Sequence, residues 1–440
     1  FLQDAFPPLE PYSVNLPQKI TEAYDSQGKA LFAPLCAEFP TIFDNDLTQG
    51  SNIDEQLELF PRPNAQPPHA HRRRQTPADE EVLTKLTTEQ LDNHIIEESL
   101  GSEWLSNPLV VHQPTKTRVC IDFSPVNKHL EKHHSLIPSP DELFEFTKGK
   151  KYLAKFDLTS GYHQFFLHPN SRKYTAFQTS HGIYQYIRVP LGIHTAPGFF
   201  QRVMCKILHD CTGAMGYFDD ILMAADTPEE LAANIRKVFE NLTRYNIKIK
   251  GVKCEIGTSQ LEFLGMILSG SGIAVKDTRR EVINAWQYPQ NQKQLKQFLG
   301  FVGFISRFIP SAATLLAPLS DLTGGFKVEP PPGQKFHPAK LKRMRQQRPI
   351  PDTKELRVIF QHIKDTINDT AILYHPDPAR EFHLKTDASK VGIGAYLYQL
   401  VDGEERPICF YSAKLSVAQL KWSVNEKEAY GVYMGVMRFA

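Results

Sequence analysis

The sequence predicts a mixed α/β protein with more than one domain. Its 440 residues exceed the usual size of a single domain, and its content of 41% hydrophobic and 22% charged residues is typical of globular proteins. Strand-like and helix-like segments alternate through residues 105–258. No apolar stretch approaches the roughly 18 residues of a membrane-spanning helix, so the sequence excludes a membrane protein.

Charge and proline are unevenly distributed. Residues 1–60 hold ten acids and two bases, and prolines recur through residues 1–80, which predicts an irregular, acidic lead-in or linker. The remaining residues hold 48 bases and 39 acids, a balance compatible with binding to a phosphate backbone. Residues 324–353 are rich in prolines and bases, and no acid lies between Lys335 and Pro351, which predicts a linker or mobile loop.

Two helices are marked by their sequence. Thr227 precedes Pro228 and lies three residues before Glu230, which is the pattern of a capped helix start. After Pro197, apolar residues recur at helical spacing as one stripe, which predicts core packing.

The sharpest chemical signal is the pair Asp219 and Asp220. Apolar runs flank this pair, which predicts that it forms the tip of a β-hairpin. Adjacent residues of a strand point to opposite faces, so both carboxylates reach one site only if the turn bends them together. A buried carboxylate needs a partner, and a divalent metal ion is one. An isolated pair of this kind is more often a polar turn, because Asp favours turns.

A third carboxylate favours the metal-binding interpretation. Asp157 ends the strand-like segment that includes Tyr152, and a turn of small residues follows it. Nucleotidyl transfer uses two Mg²⁺ ions roughly 3.5–4 Å apart, which need bridging acids. Magnesium takes only a few protein carboxylates, so three acids suffice. The predicted cofactors are therefore two Mg²⁺ or Mn²⁺ ions.

Short sequence blocks follow one another in a fixed order from about Asn107 to the C-terminus. They are Arg118-Val119-Cys120-Ile121-Asp122-Phe123, Phe156-Asp157-Leu158-Thr159-Ser160-Gly161-Tyr162-His163-Gln164, Pro190-Leu191-Gly192, Phe200-Gln201, Tyr217-Phe218-Asp219-Asp220, Lys253-Cys254, Phe263-Leu264-Gly265, Gln297-Phe298-Leu299-Gly300 and Thr386-Asp387-Ala388-Ser389. Each block alone is weakly specific, whereas their collinear order is not expected by chance. In these blocks the chain resembles the reverse transcriptases of Gypsy-type long-terminal-repeat retrotransposons.

The resemblance implies a right-hand polymerase fold of fingers, palm and thumb, followed by an incomplete ribonuclease H-like α/β segment. It implies RNA-directed DNA synthesis. The implied domains are a lead-in at 1–80, fingers and palm at 81–258, primer-grip strands and thumb at 259–323, a basic linker or connection at 324–378, and the N-terminal part of a ribonuclease H-like domain at 379–440.

The resemblance also implies roles for single residues. The metal-binding catalytic triad falls on Asp157, Asp219 and Asp220. The nucleotide-binding positions fall on Arg118, Leu158, Gly161, Tyr162 and Gln201. The primer grip falls on Phe263, Leu264, Gly265 and Met266. Tyr162 matches the residue that blocks a ribose 2′-hydroxyl, with a packed tyrosine as the alternative, and Gln201 has an ordinary helix-surface position as its alternative.

Two regions depart from the family pattern. The usual lysine pair before the fingers arginine is missing, and Lys116 alone could supply that cation. Asp387 and Glu428 match the first two of the four metal-binding acids of ribonuclease H, so nuclease activity is expected only if further chain follows. A shift of the second acid to Glu426, or a solvated helix charge at Glu428, remains an alternative.

The resemblance implies partners and a location. The partners are an RNA template, a DNA primer, an RNA–DNA hybrid, deoxynucleoside triphosphates and other parts of a retroelement polyprotein, such as protease, integrase and capsid. The expected location is the cytoplasm, within retroelement particles and with access to the nucleus. Both chain ends are expected to continue into a longer polypeptide. The alternative function is a domesticated or decayed copy that binds nucleic acid without catalysis, and the surviving triad favours the active enzyme.

Overall fold

The structure, a computed structural model, describes residues 19–20, 26–68, 73–113, 117–133, 135–324, 338–370 and 372–439. The chain divides into two compact units, Phe1–Leu261 and Glu262–Ala440. Among the described residues, no helix is both long enough and apolar enough to cross a membrane.

The first unit contains ten strands and six α-helices in its described part. The strands are β1 (Lys19–Ile20), β2 (Ile96–Glu98), β3 (Asn107–His112), β4 (Thr117–Asp122), β5 (Tyr152–Asp157), β6 (Phe177–Gln178), β7 (Ile183–Tyr186), β8 (Ala214–Tyr217), β9 (Asp220–Ala225) and β10 (Glu255–Thr258). The helices are α1 (Ser26–Glu38), α2 (Pro77–Asp92), α3 (Ser124–Asn127), α4 (Pro140–Phe146), α5 (Ala196–Ile207) and α6 (Pro228–Arg244).

A five-stranded sheet of order β1-β10-β5-β9-β8 forms the centre of this unit. The apolar stripes of α5 and α6 are buried, as the sequence predicts, and α6 packs against β9. Thr227 caps α6 by accepting a hydrogen bond of 3.1 Å from the backbone N–H of Glu230. A second sheet, β2-β7-β6, and the hairpin β3–β4 complete the described strands of this unit.

The interpretation of residues 1–80 as an irregular linker is wrong for residues 26–68. Helix α1 packs against α6. Phe32, Leu35, Ile53 and Leu57 are buried in the same core as the central sheet. Prolines did not prevent the 13-residue helix α1, which contains Pro34, and the irregular segment after it buries its apolar side chains without forming a long element.

The second unit contains the remaining strands and helices, with β11 (Gln260–Phe263) at its border. The strands are β12 (Met266–Ser269), β13 (Gly272–Val275), β14 (Leu373–Tyr374), β15 (His383–Ala388), β16 (Gly392–Val401) and β17 (Glu404–Lys414). The helices are α7 (Asp277–Ala285), α8 (Gln292–Ile305), α9 (Ala312–Asp321), α10 (Pro338–Gln347), α11 (Lys354–Asn368) and α12 (Val424–Phe439).

The linker predicted over residues 324–353 is partly helical. Helix α10 lies beside α8, and the backbone N–H of Gln292 donates to the carbonyl oxygen of Arg348 at 2.9 Å. The basic residues that suggested a solvated loop are good helix formers, and no proline lies between Ala339 and Gln347. Residues 325–337 of this stretch lie outside the described residues.

The segment that resembles ribonuclease H forms the antiparallel sheet β15-β16-β17, with α12 against β15 and β16. It packs on α9 of the same unit. The backbone N–H of Ala313 donates to the hydroxyl of Ser412 at 2.9 Å, and the hydroxyls of Thr314 and Ser389 are 3.1 Å apart. This small sheet is therefore supported by a helix outside it.

Candidate active site

The three predicted carboxylates meet at one edge of the central sheet. Strands β5 and β9 are antiparallel, and their register places Asp157 directly opposite Asp220. Residues in such pairs have Cβ atoms roughly 4.5–5.5 Å apart. Tyr217 pairs with Asp220 across a two-residue turn formed by Phe218 and Asp219. The predicted hairpin with acids at its tip is confirmed.

Main-chain and side-chain hydrogen bonds hold this turn. Phe218 has a φ of 48°, a left-handed conformation that costs free energy in a non-glycine residue and needs support from its surroundings. The side-chain amide of Gln201 donates to the carbonyl oxygen of Gly216 at 2.7 Å and accepts from the N–H of Phe218 at 3.2 Å. The N–H of Leu158 donates to the carbonyl oxygen of Asp219 at 2.8 Å.

The carboxylates share one electrostatic environment. Burial, followed by the negative charges of Asp220 and Asp157, raises the pKa of Asp219 to about 6. Burial and the charge of Asp157 also raise the pKa of Asp220, against the opposing effect of Lys155. Proximity of like charges is the second cause of such shifts, after desolvation.

Two lysines partly compensate this concentration of negative charge. Lys253 Nζ lies 3.0 Å from both carboxylate oxygens of Asp157, and Lys155 Nζ lies 3.4 Å from Asp220 Oδ1. Sequence reasoning missed both as site residues. Lys155 could have been found, because it lies two residues before Asp157 on the same strand face. Lys253 belongs to one of the blocks that resemble the family, Lys253-Cys254, but it is 96 residues away from Asp157 and no local pattern connects the two.

Asp219 and Asp220 each have a buried carboxylate oxygen. The Oδ1 atoms of both have no hydrogen-bond partner among the described residues, although Lys155 Nζ lies 3.4 Å from that of Asp220. A buried carboxylate oxygen without a partner is costly, and a cation would satisfy it. Carboxylate oxygens are the ligands that Mg²⁺ prefers. In the described part of the chain, no group of three His, Cys, Asp or Glu side chains is already arranged around an ion position. The residues therefore fit a divalent cation by chemistry and by the orphaned oxygens.

Gly161 and Tyr162 lie beside Asp219. A Cβ atom on Gly161 would lie 2.7 Å from Asp219 Oδ1 and 3.2 Å from the Phe200 ring, so only glycine fits without displacement. The ring of Tyr162 packs on Phe200 with centroids 4.8 Å apart. Burial, followed by the charge of Asp219, raises the pKa of Tyr162 to about 12, so its phenol stays protonated.

The other predicted nucleotide-binding residues lie in different settings. Arg118 is exposed on β4. Leu158 is buried, and it contributes its backbone N–H. Gln201 is 1% exposed, and its amide is used by the hairpin turn, so it is not the helix-surface residue of the alternative reading. Lys116 lies outside the described residues. The nucleotide contacts of these residues stay predictions.

The predicted primer grip is the turn between β11 and β12. Phe263 and Met266 are buried, and the partly exposed Leu264 and Gly265 both have positive φ, of 50° and 72°. The guanidinium of Arg279 donates to the carbonyl oxygen of Gly265 at 2.7 Å. Only the tip of this turn can therefore reach a ligand.

The two predicted nuclease acids lie on different elements. Asp387 is exposed on β15, and Glu428 is half-buried on α12. Glu426 accepts a hydrogen bond of 2.7 Å from the N–H of Ser423, and Ser423 accepts one of 3.3 Å from the N–H of Glu426, which is a capping box. Because Glu426 caps its own helix, Glu428 is the better candidate for the second acid.

The central sheet and its paired acids define the palm of a nucleic acid polymerase. Residues 108–268 match the family "Reverse transcriptase (RNA-dependent DNA polymerase)", and residues 353–440 match "RNase H-like domain found in reverse transcriptase". Over 359 residues the chain is 28% identical to the Transposon Tf2-3 and Tf2-7 polyproteins of Schizosaccharomyces pombe. This alignment covers 81% of the chain and 25% of each polyprotein, so the chain spans about a quarter of the length of these relatives.

Solved structures share the fold. A foamy viral protease-reverse transcriptase in complex with RNA/DNA hybrid matches with a TM-score of 0.79 and 18% identity over 95% of this chain and 54% of that one. A complex of the same viral protein with dsDNA matches with a TM-score of 0.77 and 19% identity over 94% of this chain and 83% of that one. Two parts of the chain thus match reverse transcriptase families, the chain is similar to transposon polyproteins, and the right-hand polymerase fold is confirmed.

Proposed function

We propose that this chain catalyses RNA-directed DNA synthesis, with Asp157, Asp219 and Asp220 holding two divalent cations, Mg²⁺ or Mn²⁺. The observation that carries the proposal is the buried Oδ1 of Asp219, which has no hydrogen-bond partner in the described part of the chain and lies beside two further carboxylates in a segment that matches reverse transcriptases. When bound, the ions would activate the primer 3′-hydroxyl and hold the triphosphate.

The chain's own residues have distinct parts in this proposal. The protonated phenol ring of Tyr162 occupies space beside the sugar and excludes a ribose 2′-hydroxyl, so deoxynucleoside triphosphates are the substrates. The fork of Arg118 binds the triphosphate, for which its planar set of donors is suited. Lys253 and Lys155 place positive charge beside Asp157 and Asp220, and they offset part of the negative charge of the site.

The proposed nucleic acid partners are an RNA template, a DNA primer and the hybrid that they form. The foamy viral relatives bind RNA/DNA hybrid and dsDNA, and their shared fold supports the same classes of ligand here. We further propose that Asp387 and Glu428 contribute two of the acids of a ribonuclease H site, which is active only if further chain supplies the others. We also propose action within cytoplasmic retroelement particles, together with protease, integrase and capsid. Similarity to transposon polyproteins supports a setting among other parts of a retroelement.

Primer extension on an RNA template tests the polymerase proposal. With a DNA primer and deoxynucleoside triphosphates, the chain should extend the primer when Mg²⁺ or Mn²⁺ is added and stop when the metal is chelated. Tight binding of the template-primer without extension at any concentration of either metal would instead support the decayed, non-catalytic copy.

A further inference from the structure

The turn that carries Tyr162 is held by one buried amide. Gln164 is 1% exposed, and its Nε2 donates to the carbonyl oxygens of Thr159 at 2.7 Å and Lys248 at 2.8 Å. Its Oε1 accepts from the backbone N–H of Lys248 at 2.7 Å. Both amide hydrogens and the amide oxygen are therefore used. We refer to Gln164, Thr159 and Lys248 as the Gln164 bridge.

This turn needs such support. It begins at Ser160, which has a φ of 47° and a ψ of 48°, a left-handed conformation that costs free energy in a residue with a Cβ atom. The ring of Tyr162 contacts Phe200, and its carbonyl oxygen accepts a hydrogen bond of 3.2 Å from the backbone N–H of Phe165. This bond closes the turn on itself and does not tie it to another segment of the chain. The position of the ring is therefore set by how the ends of the turn, Thr159 and Gln164, are held.

The Gln164 bridge continues into the N-terminal segment. The side chain of Lys248 is 8% exposed, and its Nζ donates to the carbonyl oxygen of Thr41 at 2.8 Å and lies 3.1 Å from the carboxylate of Asp44. The backbone N–H of Ser51 donates to the carbonyl oxygen of Gln164 at 2.8 Å. Thr41, Asp44 and Ser51 all lie outside the residues 108–268 that match the reverse transcriptase family.

We propose that Gln164 is a positioning residue for nucleotide selection, and that Lys248 and residues 41–51 support it from the N-terminal side. The bridge fixes the height of the Tyr162 ring over the nucleotide pocket, so loosening it admits a 2′-hydroxyl while leaving the carboxylates in place. This inference rests on the proposed polymerase function and on Tyr162 as the residue that excludes ribose.

The decisive variant is Gln164→Glu, which keeps the shape and removes both donated hydrogen bonds. A carboxylate would face two carbonyl oxygens, so the turn should move away from Lys248. The second unit offers a matched control in Gln399, which is 3% exposed. Its amide also donates to two carbonyl oxygens, those of Asp377 and Arg380, and accepts from one backbone N–H. Gln399→Glu should therefore cost comparable stability without touching the turn.

The measurement is the ratio of kcat/KM for a ribonucleotide to that for the matching deoxynucleotide, on one RNA template. Gln164→Glu should raise this ratio about tenfold, because small displacements of a positioning group change rates by such factors. Gln399→Glu should leave the ratio within twofold of the wild-type chain. An equal rise in both variants, or no rise in Gln164→Glu, would overturn the inference.

Two further results separate this inference from the proposed function. A wild-type chain that does not extend a primer refutes the polymerase proposal itself. A chain that extends, and in which Tyr162→Ala relaxes selection but Gln164→Glu does not, refutes only the positioning role. If Gln164→Glu does not fold, Asp44→Asn weakens the same support from its half-exposed end. Asp44→Asn should raise the ratio of ribonucleotide to deoxynucleotide kcat/KM at least twofold. An unchanged ratio would show that the N-terminal segment does not support Gln164.

Discussion

The two acidic sites of this chain differ in how far the fold assembles them. At the polymerase site, Asp157 and Asp220 face each other across two strands of a packed sheet, and the charges of both raise the pKa of the half-buried Asp219. In the ribonuclease H-like segment, Asp387 lies exposed on a strand and Glu428 lies on a helix. Backbone pairing alone brings the first set together, whereas the second depends on how α12 packs against its sheet.

The supporting helices show the same difference. Helices α5 and α6 bury their apolar stripes against the palm sheet. Helix α12 buries Gly431 and Gly435 on its sheet side and leaves Tyr433, Val436 and Met437 more than half exposed. Substitutions at the polymerase site should therefore change catalysis while the packed fold around the site stays rigid. Substitutions at the ribonuclease H-like site should disturb little packing.

The largest expected effect is that of Asp219→Asn on primer extension. The rate should fall by at least about a thousandfold, because the change removes a charge from the proposed ion site without altering shape. Asp226→Asn, an exposed change at the other end of β9, is the control and should keep near wild-type extension. Extension by Asp219→Asn at a wild-type rate would refute the triad.

The free energy of unfolding of the same variant should differ from that of the wild-type chain in a pH-dependent way. The pKa of Asp219 is about 6 in the folded chain, above its ordinary value of 3.8, so the folded state binds the proton more tightly than the unfolded state. The contribution of this group to stability is therefore present below pH 3.8 and lost as the pH rises through 6. Asp219→Asn should have a higher free energy of unfolding at pH 7 than the wild-type chain, and the difference should shrink by pH 4.

The next effect concerns nucleotide selection. Tyr162→Ala should raise the relative efficiency of ribonucleotide incorporation on the order of 10–100-fold, because it removes the ring that would contact a 2′-hydroxyl. Tyr433→Ala, at an exposed tyrosine of the second unit, is the control. If the selection ratio of Tyr162→Ala stays at the wild-type value, the packed tyrosine is the correct interpretation.

A smaller effect is expected from the basic helix of the second unit. Lys342, Arg343 and Arg345 are exposed on α10, and no acid lies between residues 335 and 351. Replacing all three by Gln should weaken template-primer binding a few-fold. It should also make the fall of the log of the binding constant with the log of the salt concentration less steep, since each lost phosphate contact reduces the size of that slope by roughly 0.7–0.9. The triple control Arg357→Gln, Arg380→Gln and Lys385→Gln removes bases that already pair with carboxylates, and it should leave the slope nearly unchanged.

Sequence reasoning reached the parts of the molecule that local patterns determine. The hairpin tip at Asp219 and the cap at Thr227 follow from turn and helix chemistry within a few residues. The packing of residues 26–68 and the helix α10 were missed. Proline and charge content indicate which regular structures a segment disfavours, and they do not indicate which residues the segment contacts. Lys253 and the bonds of Gln164 to Lys248 join residues more than 80 positions apart, and one sequence contains no periodicity that reveals such contacts.

The smallest expected effect is at the second acidic site. The 440-residue chain should not degrade the RNA of an RNA–DNA hybrid, because two-metal hydrolysis needs enough carboxylates to fix both ions, and Asp387 and Glu428 match only two of the four metal-binding acids of ribonuclease H. Asp387→Asn should accordingly change neither primer extension nor the melting temperature, in contrast to Asp219→Asn. The measurement is hybrid cleavage in Mg²⁺ and in Mn²⁺, scored beside extension in the same preparation. Metal-dependent cleavage that Asp387→Asn abolishes would show that this site is as well assembled as the polymerase site, and the contrast between the two sites would have to be abandoned.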